Sequence, residues 1–235
     1  MDPFEKSRKF KALSGWVPEE SSKMFPSRFI DNIVCDEIVC FNKIKPLDKF
    51  KNKKVLIVGG GPSSLDFDFN NHPYDSIWSC NHFFLHDILK DTKIDLISVT
   101  GEVDLSLKEF LDYRHRFNPL ITFEIHSKWY NYSFDDYENY TFFHTEFYSK
   151  LGICPRQIIF ACCLGVKEIG FVGLDGIKFI KKGQHAFQSG KKTMPLSFDE
   201  DVCSTQYDVF WTYIKDKFPN VKFKNLGFGR EYHKC

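Results

Sequence analysis

Apolar residues along this chain gather in short runs of four or five, set apart by glycine, asparagine and aspartate. Runs of that length rich in β-branched side chains suit strands covered on both faces. The pattern predicts strands over residues 55–58, 76–79, 95–99, 120–124, 168–173 and 221–224. Between them, helix onset is expected at Pro62, and helical stretches over 83–89, 105–113, 156–164 and 208–217. Alternation of this kind predicts an α/β fold: a doubly wound, mostly parallel sheet with helices on both faces, Rossmann-like. Residues 128–148, rich in Tyr, Asn and Asp, read as an excursion that covers a substrate.

Upstream, turn signals at Ser14-Gly15-Trp16-Val17-Pro18 and Phe25-Pro26-Ser27 make residues 1–28 irregular, and 33–35 with 37–41 suit a hairpin or an extra edge strand. The expected organisation is an N-terminal extension, 1–50, packed on a nucleotide-binding domain, 51–235. With 235 residues, 43% hydrophobic and 26 Phe, the chain has ample material for one large core.

A net charge of +1 implies no broad attraction to nucleic acid or to a membrane surface. No run reaches membrane-span length and the N-terminus has no signal-like apolar stretch, so a cytoplasmic location is expected. Eight cysteines without a Cys-x-x-Cys or zinc-finger spacing read as reduced thiols in the core rather than as a metal site. The abundant Phe leaves room for a homo-oligomer interface.

The candidate chemistry begins after the first predicted strand, at Gly59, Gly60, Gly61, Pro62, Ser63 and Ser64. Glycines let a phosphate approach backbone N–H groups, Pro62 suits a first helical turn, and the serines offer hydroxyls at its positive end. Tight packing alone is the other reading of such a turn. A dinucleotide fingerprint would want a third glycine where Ser64 stands and a carboxylate closing the next strand, where Cys80, Asn81 and His82 stand instead. The remaining strand ends are polar too: Thr100, Gly101 and Glu102 after one, Gly173, Leu174 and Asp175 after another. Asn81 suits a ribose or a base edge, or else a helix cap. Asp175 suits a ribose, a metal-bound phosphate, or an Asx turn before Gly176.

Three segments in order carry a family resemblance: Gly-Gly-Gly-Pro-Ser-Ser-Leu from Gly59, Trp-Ser-Cys-Asn-His-Phe-Phe from Trp78, and Leu-Gly-Val-Lys-Glu-Ile-Gly-Phe-Val-Gly-Leu-Asp from Leu164. Over roughly residues 53–230 the chain resembles the bacterial sialyltransferases of glycosyltransferase family 42. It also resembles the related domain of motility accessory factors and archaeal pterin diphosphokinases. The resemblance implies a nucleotide-sugar donor, CMP-linked, and a glycan or other hydroxyl acceptor as partners. It further implies direct displacement without metal or other cofactor, and matches Asn81 to an asparagine that contacts the activated sugar or nucleotide.

His185 falls where the family has a tyrosine of a Tyr-Ala-Phe segment, and with Asp175 it is the candidate catalytic residue, as base or as imidazolium beside a leaving phosphate. Lys181, Lys182, Lys191 and Lys192 flank it as charge near phosphates or as a solvated loop. Thr100 replaces a family asparagine, Ile177 and His185 replace an aromatic pair, and Leu151-Gly152-Ile153-Cys154-Pro155 replaces a serine-rich turn. No histidine lies between Gln188 and Tyr207, where the family's base belongs, which leaves His126 and His144 as substitutes. The tail from Gly227 to His233 either returns to the site, bringing Arg230 or Tyr232 near phosphate, or frays. Two alternatives stand beside the glycosyltransferase: a Mg²⁺-dependent, diphosphokinase-like phosphoryl transferase using Asp175 and Glu102, and a nucleotide-binding protein without catalysis.

Overall fold

The structure, a computed structural model, describes residues 45–100, 103–124, 140–143, 151–175, 185–188 and 200–228. Its strands are β1 (Lys54–Val58), β2 (Ser76–Cys80), β3 (Leu96–Val99), β4 (Leu120–Glu124), β5 (Tyr140–Phe143), β6 (Glu168–Val172) and β7 (Lys222–Asn225). The helices are α1 (Lys108–Phe117), α2 (Ile153–Cys163) and α3 (Glu200–Lys217). All seven strands join one sheet in the order β5-β4-β3-β2-β1-β6-β7, and every adjacent pair is parallel.

That order makes the chain doubly wound. It steps outward from β1 to β5, returns to the far side of β1 as β6, and steps once more to β7. Right-handed crossovers then place the early connections on one face and α2 and α3 on the other. The packing agrees. Ile57 lies in register with Trp78 on one side and Phe171 on the other, and register partners share a face. Phe160 of α2 lies 6.1 Å from Trp78, and Trp211 of α3 stacks 5.1 Å from Phe171. On the opposite face Gly170 lies beneath Tyr74, whose hydroxyl stands 2.1 Å from where a Cβ would be. The apolar runs are buried because both faces are covered: Val55, Leu56, Ile57 and Val58 have no exposed surface.

Strand positions follow the apolar pattern closely, with one addition. β5 lies inside the 128–148 stretch read as a covering excursion. Its Phe143 stacks on Phe160 at 4.7 Å, so the apolar partner that makes it a core strand comes from a helix distant in sequence. The rest of that stretch, outside residues 140–143, and the expected features of residues 1–44 lie outside the described residues.

Two expected helices are much shorter. Pro62–Ser64 forms a single 3-10 turn, and the 83–89 stretch holds two, Phe83–Leu85 and Leu89–Asp91. In the second case His86 is the cause. Its Nδ1 accepts the N–H groups of Ile88 (3.1 Å) and Leu89 (3.2 Å), donors that a continuing helix would give to backbone carbonyls. Helix α1 starts and ends later than its expected 105–113, and closes at Asn118, whose left-handed φ of 44° lets its N–H return to Arg114. α2 begins three residues before the expected 156, and α3 begins at Glu200 rather than 208.

Candidate functional site

In open parallel sheets, ligands bind at the carboxyl ends of strands where the winding reverses. Here that point lies between β1 and β6, so it brings together the 59–61 turn and the 173–175 turn. The two turns interlock through backbone. Gly59 N–H donates to Val172 O (2.8 Å) and Gly61 N–H to Gly173 O (2.9 Å). The approach is close enough to require glycine at Gly173. Its φ is 76°, and a Cβ there would lie 2.1 Å from the Gly59 carbonyl oxygen.

The serines hold this joint. Ser64, fully buried, donates its hydroxyl to the carbonyls of Gly59 (2.9 Å) and Gly61 (2.8 Å). Ser63 Oγ accepts the N–H of Gly173 at 2.9 Å. Ser64 N–H in turn donates to Gly61 O, and Ser63 N–H to Asp175 Oδ2 at 2.8 Å. Most of the turn's N–H groups, which the sequence reading offered to a phosphate, are thus directed at protein acceptors. The amides of Gly59, Gly61, Ser63 and Ser64 all have protein acceptors, Pro62 has no N–H, and the helix is one 3-10 turn. Among the described residues, Gly60 keeps the one turn N–H without a protein acceptor.

Asp175 is a clasp rather than an open carboxylate. It is 4% exposed, with Oδ2 on the Ser63 N–H and Oδ1 on the Phe228 N–H at 3.1 Å. A Cβ on Gly61 would stand 2.5 Å from Oδ2, so Gly61 makes room for it. Phe228 belongs to the tail, which therefore returns to the site as far as it is described. Arg230 and Tyr232 lie outside the described residues, as do Gly101, Glu102, Ile177, Lys181, Lys182, Lys191, Lys192, His126 and His144.

His185 lies over the turn. Its ring covers Gly60, where a Cβ would meet Cε1 at 2.3 Å and Nε2 at 2.6 Å, and Ala186 N–H donates to Gly60 O at 2.9 Å. Its Nδ1 accepts the Phe187 N–H at 3.2 Å, which turns Nε2 toward the glycine.

Beneath it, fully packed Phe187 lies edge-on to both His185 (5.5 Å) and His86 (6.0 Å). Sequence reading missed His86. With Nδ1 committed to two N–H donors, its Nε2 carries the proton and donates to Ser64 O at 3.1 Å. Burial holds its pKa below the ordinary histidine value, opposed in part by that bond to Ser64. No sequence signal marks His86, because all its partners come from elsewhere in the fold or from its own turn.

Asn81 completes the arrangement. It directly follows Cys80, the last residue of β2, the strand that pairs with β1. Its φ is 48°, a conformation that asparagine tolerates. It does not cap a helix by its side chain. Oδ1 accepts the N–H (3.0 Å) and hydroxyl (3.3 Å) of Thr100, which is thus an orienting residue. Its amide NH₂ is left as a donor with no protein acceptor among the described residues. His82 is half-buried, its ring 6.0 Å from Phe84.

Of the cysteines, Cys80 ends β2 and Cys154 lies in the first turn of α2, their sulfurs 3.3 Å apart and both buried. The Cys154 contact and burial push the Cys80 thiol well above its usual pKa, keeping it protonated. No group of three or more His, Cys, Asp or Glu placed to hold a metal occurs among the described residues, and no helix there is long and apolar enough to cross a membrane.

The sequence matches no family model, and no curated protein is detectably similar to it. Solved structures do match. The sialyltransferase CstII from Campylobacter jejuni, in complex with the substrate analogue CMP-3FNeuAc, shares 17% identity at a TM-score of 0.52, covering 74% of this chain and 81% of that one. The sialyltransferase CST-II with trisaccharide acceptor and CMP gives 18% identity and a TM-score of 0.48, over 74% and 81%. CstII with cytidine-5'-monophosphate gives 16% and 0.45, over 74% and 79%. The chain therefore shares the fold of a family 42 sialyltransferase structure, as its three sequence segments implied, at an identity where the likeness is one of fold.

Proposed function

We propose that this protein is a glycosyltransferase that uses a nucleotide-activated sugar, CMP-linked, and transfers it to a glycan or other hydroxyl acceptor by direct displacement. One observation carries the reading. At the point where the sheet's winding reverses, the His185 imidazole covers Gly60, whose N–H has no protein acceptor among the described residues, and the neighbouring strand β2 leads into Asn81, whose amide NH₂ has none either. Two fixed donors and a titratable ring suit the phosphate of a nucleoside monophosphate leaving group. The likeness of fold to a sialyltransferase bound to a CMP-sugar analogue adds support.

In this reading the acceptor oxygen attacks the anomeric carbon, the bond to the phosphate oxygen breaks, and CMP leaves with the electron pair. His185, above Gly60, serves as phosphate partner: with Nδ1 accepting the Phe187 N–H, its Nε2–H is the donor offered to the leaving group. Asp175 serves by fixing the 59–61 turn against the tail. That role also disfavours the magnesium reading, since the carboxylate it would need is buried and directed at backbone N–H groups.

Thermal shift with CMP, CDP, UDP, ATP and NAD, each with EDTA or with Mg²⁺, tests the proposal. Ligand at a hundred times its Kd stabilises by about 2.7 kcal/mol. Stabilisation by CMP in EDTA is expected, followed by CMP release from a CMP-linked sugar that falls in His185→Ala. Stabilisation by ATP that requires Mg²⁺ would move the assignment to phosphoryl transfer. Binding of CMP without turnover of any CMP-sugar would leave a nucleotide-binding protein.

A further inference from the structure

The Cys80–Cys154 pair is unused by the proposed chemistry, yet it lies at the base of the site. Cys80 immediately precedes Asn81, and Cys154 follows Gly152, the residue with φ 85° that opens α2. The Cys154 sulfur also stands 3.1 Å from where a Cβ on Gly59 would be, so the absence of a side chain at Gly59 makes room for it. The two sulfurs thus come from separate segments, 74 residues apart in sequence, and meet where β1, β2 and α2 converge.

We infer that Cys80 and Cys154 form a redox-closable pair, a disulfide site that clamps the first turn of α2 to the end of β2 and weakens nucleotide binding when closed. The consequence for nucleotide rests on the function proposed above; the clamp itself does not. Closure needs the sulfurs to approach from 3.3 Å to about 2.05 Å. A packed core transmits a movement of that size, and the residue attached to Cys80 is the one whose amide is aimed by Thr100.

The oxidant is a peroxide, a small neutral molecule suited to two buried residues, Cys80 and Cys154, that are 4% and 8% exposed. The sulfur of Cys154, the more exposed of the two residues, attacks a peroxide oxygen, giving a sulfenic acid and releasing water. The Cys80 sulfur then attacks the sulfenic sulfur, giving up its thiol proton to the hydroxide it expels, which leaves as a second water. Two thiols and one hydrogen peroxide become one disulfide and two waters. A thiol reductant reverses the step.

The test treats the full chain with hydrogen peroxide, reads intact mass and maps the linkage by non-reducing peptide analysis. CMP affinity is then measured on reduced, oxidised and re-reduced protein in EDTA. Expected are a loss of about 2 Da, a Cys80–Cys154 cross-linked peptide, and at least a fivefold rise in CMP Kd that dithiothreitol reverses. Oxidation that adds oxygen to thiols, or links other cysteines, without joining these two overturns the pair. A Cys80–Cys154 disulfide with unchanged CMP affinity overturns its control of the site. Should reduced protein bind no CMP, the proposed function falls, while the mass and the cross-linked peptide still decide the clamp. Cys154→Ser should remove the cross-link; the wild-type map stands whether or not that variant folds.

Discussion

Replacing Asp175 with asparagine separates a structural clasp from a catalytic carboxylate. The shapes are the same, but the amide has one acceptor oxygen where the carboxylate has two. Both carboxylate oxygens receive a backbone N–H, from Ser63 at 2.8 Å and Phe228 at 3.1 Å, in a side chain 4% exposed. In Asp175→Asn the new NH₂ would point at one of those donors. The loss combines a charge-assisted bond, about 1.5–3 kcal/mol, with the cost of a buried N–H left without a partner, about 1–3 kcal/mol. Because these overlap, the expected destabilisation is roughly 2–4 kcal/mol, on the order of 10 °C in Tm for a domain of this size. Urea unfolding measures it directly, and CMP-sugar turnover per mole of folded protein is read alongside. The clasp predicts a large shift in the unfolding midpoint, with substantial turnover retained below the melt. Unchanged stability with abolished turnover would refute it and return Asp175 to the chemistry.

Gly60→Ala should displace the His185 ring, since the new methyl would lie 2.3 Å from Cε1; isothermal titration should show CMP affinity down about tenfold, near 1.4 kcal/mol, and unchanged affinity would remove His185 from the site. His86 predicts a pH dependence of stability. Its folded pKa lies below the unfolded value of about 6.5, so its neutral form contributes stability that is present above that pH and is lost as pH falls through and below it. Urea midpoints from pH 7.5 to 5 should fall for the wild type and fall less for His86→Asn; equal slopes would reject the assignment. Phe160→Ala empties a fully buried position between Phe143 and Trp78. It should cost about 3–5 kcal/mol, with hydrogen exchange faster in β5; a loss under about 1 kcal/mol would mean that α2 does not pin that strand.

The fold was largely legible because buried parallel strands leave a loud signal: short β-branched runs that must be apolar on both faces. β5 was missed since Tyr-Thr-Phe-Phe is too short to stand out among polar aromatics, and its burial depends on Phe160. The two abortive helices were misread for a similar reason. At 83–89 the apolar spacing is helical, but one imidazole takes the N–H groups a helix would use.

At the site, residue types alone named the glycine turn, Asn81, Asp175 and His185, yet not their tasks. Glycine, serine and aspartate are what a phosphate loop needs, and equally what two backbone turns need to interlock. By itself the sequence determined the alternation of elements, hence a doubly wound sheet, and the strand ends where polar residues collect. Only the tertiary structure decided which of those ends meet. Strand order follows from crossovers and packing between segments far apart in the chain, and it set the 59–61 turn against the 173–175 turn and the tail. That meeting used up most of the polar groups of the two turns in satisfying one another, and brought His185 over Gly60.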